Sequence, residues 1–240
     1  MKNKDFYDEQ FFNNHLKGSY SSAKRIVPII IKLTKPRNVI DVGCGIGTWL
    51  KVMEEANVKD ILGLDGDYVN KEKLLISRDK FISIDLSKPF NIDKKFDIAL
   101  CLEVAEHIHK KNASIFIKSL VKTSDLIVFS AAAPLQGGTN HLNEQWPSFW
   151  ESLFKNEGFV MLDPFRKEII NYPDIQWWYK QNIFLFVKES KYEKSEKLKK
   201  LPVFNDNFIL IHRSVFNKNT SIFYKLKRKL LKSIRNIGYG

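Results

Sequence analysis

Cysteine is scarce in this sequence: two in 240 residues, Cys44 and Cys101. Neither sits at metal-ligand spacing, which argues against a structural zinc centre and against a disulfide framework. Both are expected to be reduced thiols used as small packing residues. Long apolar runs are also missing, so no segment reads as a bilayer span. Met1-Lys2-Asn3-Lys4-Asp5 leads into no signal-peptide core, and a cytoplasmic protein is expected. Acidic residues are absent from 221–240, a stretch with six Lys or Arg.

What is present is enough apolar material, 44% of residues, to bury one substantial α/β core. The net charge of +12 is unevenly spread. Residues 1–37 hold eight Lys or Arg against three acids, 38–188 hold 18 against 20, and 189–240 hold 13 against four. The body is thus near neutral and the ends are basic. That distribution points to an anionic surface met by the termini more than to an anionic substrate in the cleft.

The organising stretch is Val39-Ile40-Asp41-Val42-Gly43-Cys44-Gly45-Ile46-Gly47-Thr48-Trp49-Leu50. A β-branched run ends near an acid, three glycines follow at spacing two, and a helical pattern begins. Glycine at alternate positions lets the backbone take positive φ and lets a ligand come close. The dinucleotide fingerprint needs its third glycine three residues after the second, which this spacing does not give. The G-x-G-x-G run with an acid two residues ahead resembles the class I S-adenosylmethionine-dependent methyltransferases. Two companions support the likeness. Asp65 ends an apolar run about 20 residues past the glycines, where nucleotide-binding α/β folds hold the ribose hydroxyls. Asp85 ends the run Phe81–Leu86, where the family contacts the adenine amino group.

The resemblance covers about residues 7–187. It implies a Rossmann-like, seven-stranded, mostly parallel sheet with an antiparallel last strand. Three parts are expected: an N-terminal helical lid over 1–37, a catalytic domain over 38–188, and a basic extension over 189–240 ending in an amphipathic helix. Apolar spacing over residues 6–35 reads as one or two helices covering a sheet edge, where packing accounts for them more simply than a contact of Tyr20, Ser21 and Ser22 with the cofactor. A further helix is expected over 144–156. The cofactor set implied is Asp41, Gly43, Gly45, Asp65, Asp85, Leu86, Leu102 and Glu103, holding S-adenosyl-L-methionine and leaving S-adenosyl-L-homocysteine as product.

An alcohol is a poor nucleophile at neutral pH, so a base or a metal is expected beside the methyl group. Glu103, Glu106 and His107 fall at i, i+3 and i+4, and a helix starting at Glu103 would place them on one face. The Glu-x-x-Glu-His block is similar to one in ubiquinone-pathway O-methyltransferases and small-RNA 3′-terminal 2′-O-methyltransferases, where it holds a divalent ion with a further histidine. Here His141 would complete that set around Mg²⁺ or Mn²⁺. The simpler reading has no metal: Glu103 contacts cofactor and His107 acts as base, with His141 and Glu144 as a second pair. The loop Gly137–Pro147 and the later Trp177-Trp178-Tyr179 resemble a bacterial subgroup associated with surface-polysaccharide synthesis, and the aromatic segment 172–179 reads as a binding loop.

These readings converge on O-methylation of a sugar, nucleotide sugar or lipid-linked glycan precursor, with residues 221–240 either contacting the inner face of the membrane peripherally or docking on the protein's own body. The alternatives are a metal-dependent RNA 2′-O-methyltransferase, a quinone-type O-methyltransferase, and a non-catalytic cofactor-binding scaffold. The near-neutral body and the lack of a known RNA-binding module argue against nucleic acid as partner.

Overall fold

The computed structural model describes residues 9–206, with side chains from residue 17 onward. The aromatic residues Phe6, Tyr7, Phe11 and Phe12, the apolar patch 208–211 and the amphipathic segment 221–240 therefore lie outside the described residues or side chains.

Seven strands form one sheet: β1 Asn38–Val42, β2 Asp60–Asp65, β3 Phe81–Ser83, β4 Ile98–Leu102, β5 Leu126–Ser130, β6 Phe159–Leu162 and β7 Phe184–Lys188. Their order is β3-β2-β1-β4-β5-β7-β6. All neighbours are parallel except those of β7, which runs antiparallel to both β5 and β6. This is the expected methyltransferase-like sheet with its reversed last strand. β4 and β5 are buried along their whole length, as strands covered on both faces must be.

Alternation along the strands divides the core in two. Val39, Ile61, Leu100, Val128 and Leu185 face one helical layer. It is built from α1 Glu9–Thr34 and α2 Thr48–Glu55. Ile40, Leu64, Cys101, Phe129 and Phe186 face the other. There α3 Ala113–Thr123 and α4 Pro147–Asn156 bury Phe116, Leu120, Trp150 and Phe154, with Phe154 stacked 3.8 Å from Phe186. α1 is one helix, continuous through Pro28, and its Ala23, Ile26 and Ile30 belong to the sheet's own core. Four short helices complete the described chain: α5 Arg166–Ile169, α6 Trp177–Asn182, α7 Glu189–Glu193 and α8 Glu196–Lys199.

Three local expectations need correction. The third strand stops at Ser83, because Asp85 turns the chain by accepting from the Ser87 amide at 3.0 Å and hydroxyl at 2.6 Å. The helix expected from Glu144 begins at Pro147, whose fixed φ and missing N–H suit a first helical position. The chain past 188 also returns to the sheet edge: Val203 bridges Leu162, and the Phe204 amide donates to the Met161 carbonyl at 3.0 Å.

Candidate active site

β1 lies between β2 and β4, so connections leave it in opposite directions and a crevice opens beyond the strand tips. Gly43, Gly45 and Gly47 all have positive φ there. At Gly43 (φ 86°) a Cβ would fall 2.2 Å from Val104 Cγ2, so the turn admits no side chain. At Gly45 a Cβ would meet nothing within 4 Å, and the surface is open to a ligand.

The two strand-tip acids beside this turn differ. Asp41 is buried, and burial together with the charge of Asp65 pushes its pKa up to about 8. Asp65 accepts from the Gly45 amide at 2.6 Å and the Gly66 amide at 2.7 Å, and from the Tyr68 hydroxyl. Asp85 is exposed, two residues beyond its strand, and pairs with Lys88 at 3.2 Å. Ser87 and Lys88 hold its pKa below the usual carboxylate range. Leu86 and Leu102 are buried on either side of the crevice.

The helix after β4 does not start at Glu103, so the condition for one shared face is not met. Glu103 has φ 56°, and only a 3₁₀ turn follows over Ala105–His107. Glu103, Glu106 and His107 therefore do not share a helix face. Glu103 turns toward two amides, accepting from Gln136 Nε2 at 2.9 Å and Asn182 Nδ2 at 3.3 Å. Asn182 Nδ2 also donates to Gln136 Oε1 at 2.8 Å. Sequence reading missed both amides: they sit 33 and 79 residues from Glu103, and nothing local marks them.

Glu106 sits deeper, with its carboxyl against that of Glu103. Its side chain is fully buried, and neither carboxylate oxygen makes a hydrogen bond of good geometry. Burial and then the charge of Glu103 raise its pKa well above normal, against a weaker opposing pull from the Ala132 amide. Its backbone carbonyl accepts from the Leu142 and Asn143 amides at 2.8 and 3.0 Å, which docks the loop after β5 onto the loop after β4.

That docking brings two imidazoles together. The His107 and His141 rings stand 5.0 Å apart and nearly perpendicular. His107 Nδ1 lies 3.1 Å from the Asn140 carbonyl, so it carries the proton and donates. Crowding by neighbouring atoms lowers the His107 pKa. His141 Nδ1 lies 2.9 Å from Glu144 Oε1. Glu144 is itself fixed by the Leu135 and Gly137 amides at 2.9 and 2.6 Å. In both rings Nδ1 is engaged with oxygen, leaving Nε2 as the reactive nitrogen. One ligand atom each from Glu106, His107 and His141 lie within 4.8 Å of one another. Two carboxylate oxygens without well-aligned donors beside two oriented imidazoles fit a divalent cation; Glu103 stands outside the cluster.

Packing accounts for the remaining candidates. Tyr20 binds Glu55 at 3.0 Å, while Ser21 and Ser22 pin α1 to the Asp174 carbonyl and Gln176 amide at 2.9 Å. These residues fasten α1 and do not face the crevice. Tyr179 is buried edge-on against Trp49 at 5.2 Å, so it is a core residue and no stacking platform. Cys44 and Cys101 are free and buried, and burial pushes both thiols up.

Solved structures share this fold. The chain resembles DesVI of Streptomyces venezuelae (TM-score 0.54, 14% identity, 78% of this chain and 98% of that one). It also resembles the methyltransferase domain of bacterial-CtHen1-C (TM-score 0.53, 17% identity, 70% and 98%). A third is the magnesium protoporphyrin IX methyltransferase ChlM of Synechocystis PCC 6803 with bound SAM (TM-score 0.51, 18% identity, 76% and 86%). In sequence it is similar to an uncharacterized protein of Methanocaldococcus jannaschii, 27% identical over 135 residues. That match spans 52% of this chain and 58% of the relative. A family model described as a methyltransferase domain matches residues 16–178, and the chain belongs to that methyltransferase family.

Proposed function

We propose that the chain is an S-adenosyl-L-methionine-dependent methyltransferase that methylates a hydroxyl oxygen, its acceptor being a sugar of a bacterial surface-glycan precursor. The observation that carries the reading is the pair of imidazoles, His107 and His141, anchored through Nδ1 at the tips of β4 and β5. The cofactor supplies a methyl carbon on a cationic sulfur. Asp65 binds its ribose, Gly43 and Gly45 admit its backbone-hugging portion, and Glu103, held by Gln136 and Asn182, faces its methionine end. The acceptor oxygen bonds to the methyl carbon as the carbon–sulfur bond breaks, leaving S-adenosyl-L-homocysteine, and the hydroxyl proton passes to His141 Nε2. Glu144 fixes the tautomer and stabilises the imidazolium that forms. Leu142 and Trp146, 53% and 40% exposed beside His141, offer apolar faces on which a pyranose ring packs.

A second reading is favoured by the buried carboxylate of Glu106. Glu106, His107 and His141 would hold Mg²⁺ or Mn²⁺, which supplies a Lewis acid that lowers the pKa of the acceptor hydroxyl. That chemistry suits the 2′-hydroxyl of an RNA end as well as a sugar. Transfer of labelled methyl groups to nucleotide sugars, lipid-linked glycan intermediates or total RNA separates the acceptors. Activity on glycan intermediates that survives EDTA supports the first reading. Activity on RNA that EDTA abolishes replaces it with the second.

A further inference from the structure

Asp65, the proposed ribose ligand, is already crowded. A carboxylate offers about four lone-pair positions. Three are taken: the Gly45 amide is on Oδ2, and the Gly66 amide and the Tyr68 hydroxyl are both on Oδ1. A ribose diol needs one position on each oxygen, and only one position remains. The two amides belong to backbone that the sheet and the glycine turn hold in place. Tyr68 is different. Its side chain is 74% exposed, and its ring folds back so closely over Gly66 that a Cβ there would fall 2.2 Å from Cε1. The ring is exposed, so its bond to Asp65 can break without uncovering buried apolar surface.

Resting on the cofactor reading above, we infer that Tyr68 occupies in the free protein the hydrogen-bonding position of the ribose diol. Cofactor binding displaces its hydroxyl from Asp65. Tyr68 is thus an affinity-setting residue of the cofactor site: every ligand that engages Asp65 through both hydroxyls must first break its bond, and the ring swings out of the crevice mouth as it does.

The test is calorimetry with S-adenosylhomocysteine on the full-length wild type and on Tyr68→Phe, which keeps the ring and removes the hydroxyl. The variant should bind about three- to tenfold tighter, the range set by the modest net value of one exposed hydrogen bond. An analogue lacking both ribose hydroxyls should bind the two proteins equally, because it leaves Tyr68 undisturbed; a general change in the pocket would move both ligands alike. Equal or weaker affinity of the variant for S-adenosylhomocysteine overturns the inference while leaving the cofactor reading intact. Absence of binding by the wild type and the variant overturns both.

Discussion

Replacing Asp41 by asparagine should remove a steep pH dependence from the stability of the cofactor-free protein. Asp41 lies in β1 with 2% of its surface exposed, and burial, then the charge of Asp65, raise its pKa from 3.8 to about 8. The sign follows from which state holds the proton. Between these two values the folded chain keeps the Asp41 proton and the unfolded chain has lost it, so rising pH favours unfolding. The slope is about 1.4 kcal/mol per pH unit. From pH 5 to pH 7 the wild type should therefore lose about 3 kcal/mol through this one group, with the loss levelling off above the folded-state value. The asparagine side chain cannot ionise and has nearly the same shape as the carboxyl it replaces. Urea unfolding of wild type and Asp41→Asn at pH 5, 6 and 7 gives the two profiles. Their difference should change by about 3 kcal/mol across the interval, the variant gaining with pH. Parallel profiles would refute the reasoning, and with it the raised pKa of Asp41 in the cofactor-free protein.

Three further outcomes follow from the site. Gly43→Ala places a Cβ 2.2 Å from Val104 at φ 86°, and should cost about 2–4 kcal/mol of stability in thermal unfolding and abolish cofactor binding in calorimetry. Glu144→Gln removes the charge that orients His141 and should lower kcat by about 10- to 100-fold with cofactor affinity unchanged; an unchanged kcat would release His141 from the role of base. Glu106→Gln should weaken Mn²⁺ binding by at least about tenfold if the Glu106, His107 and His141 cluster holds a cation, whereas equal affinity would place the ion elsewhere.

The fold was legible because its signals are local. The glycine run, the apolar strands and the acid at the end of β2 each state their conformation within a dozen residues, and the sheet order follows once they are recognised. The site was legible only in part. Asp65, His141 and Glu144 stand where spacing suggested. A shared helix face for Glu103, Glu106 and His107 does not arise because the chain leaves β4 with a left-handed residue, and glutamate at positive φ carries no sequence mark. The aromatic segment 172–179 divides: Tyr172 and Pro173 are exposed, whereas α1 and the start of α2 bury Tyr179. Gln136 and Asn182 belong to the third kind of failure, partners joined only by the folded topology.

The left-handed turn at Glu103 has a chemical consequence. A regular helix would have aimed both glutamates the same way. The turn gives them different neighbours while leaving the two carboxyls in contact, and groups whose surroundings differ titrate differently. Glu106 is buried and Glu103 half-buried, and desolvation raises both. Glu103 is compensated by Gln136, Ser130 and Asn182, whose hydrogen bonds favour its anion. Glu106 has no such side-chain donors and feels the charge of Glu103 besides. Glu106 is therefore the member of the coupled pair that holds a proton more readily. Glu103, its oxygens held by Gln136 and Asn182, is the member better suited to stay anionic. Positive charge arriving beside Glu106 and the two imidazoles would favour loss of its proton. A divalent cation held by Glu106, His107 and His141 would compete with that proton, so cation affinity should rise with pH. Mn²⁺ titrations in two buffers of different ionisation enthalpy read that released proton directly, and an identical heat in both would show Glu106 already ionised.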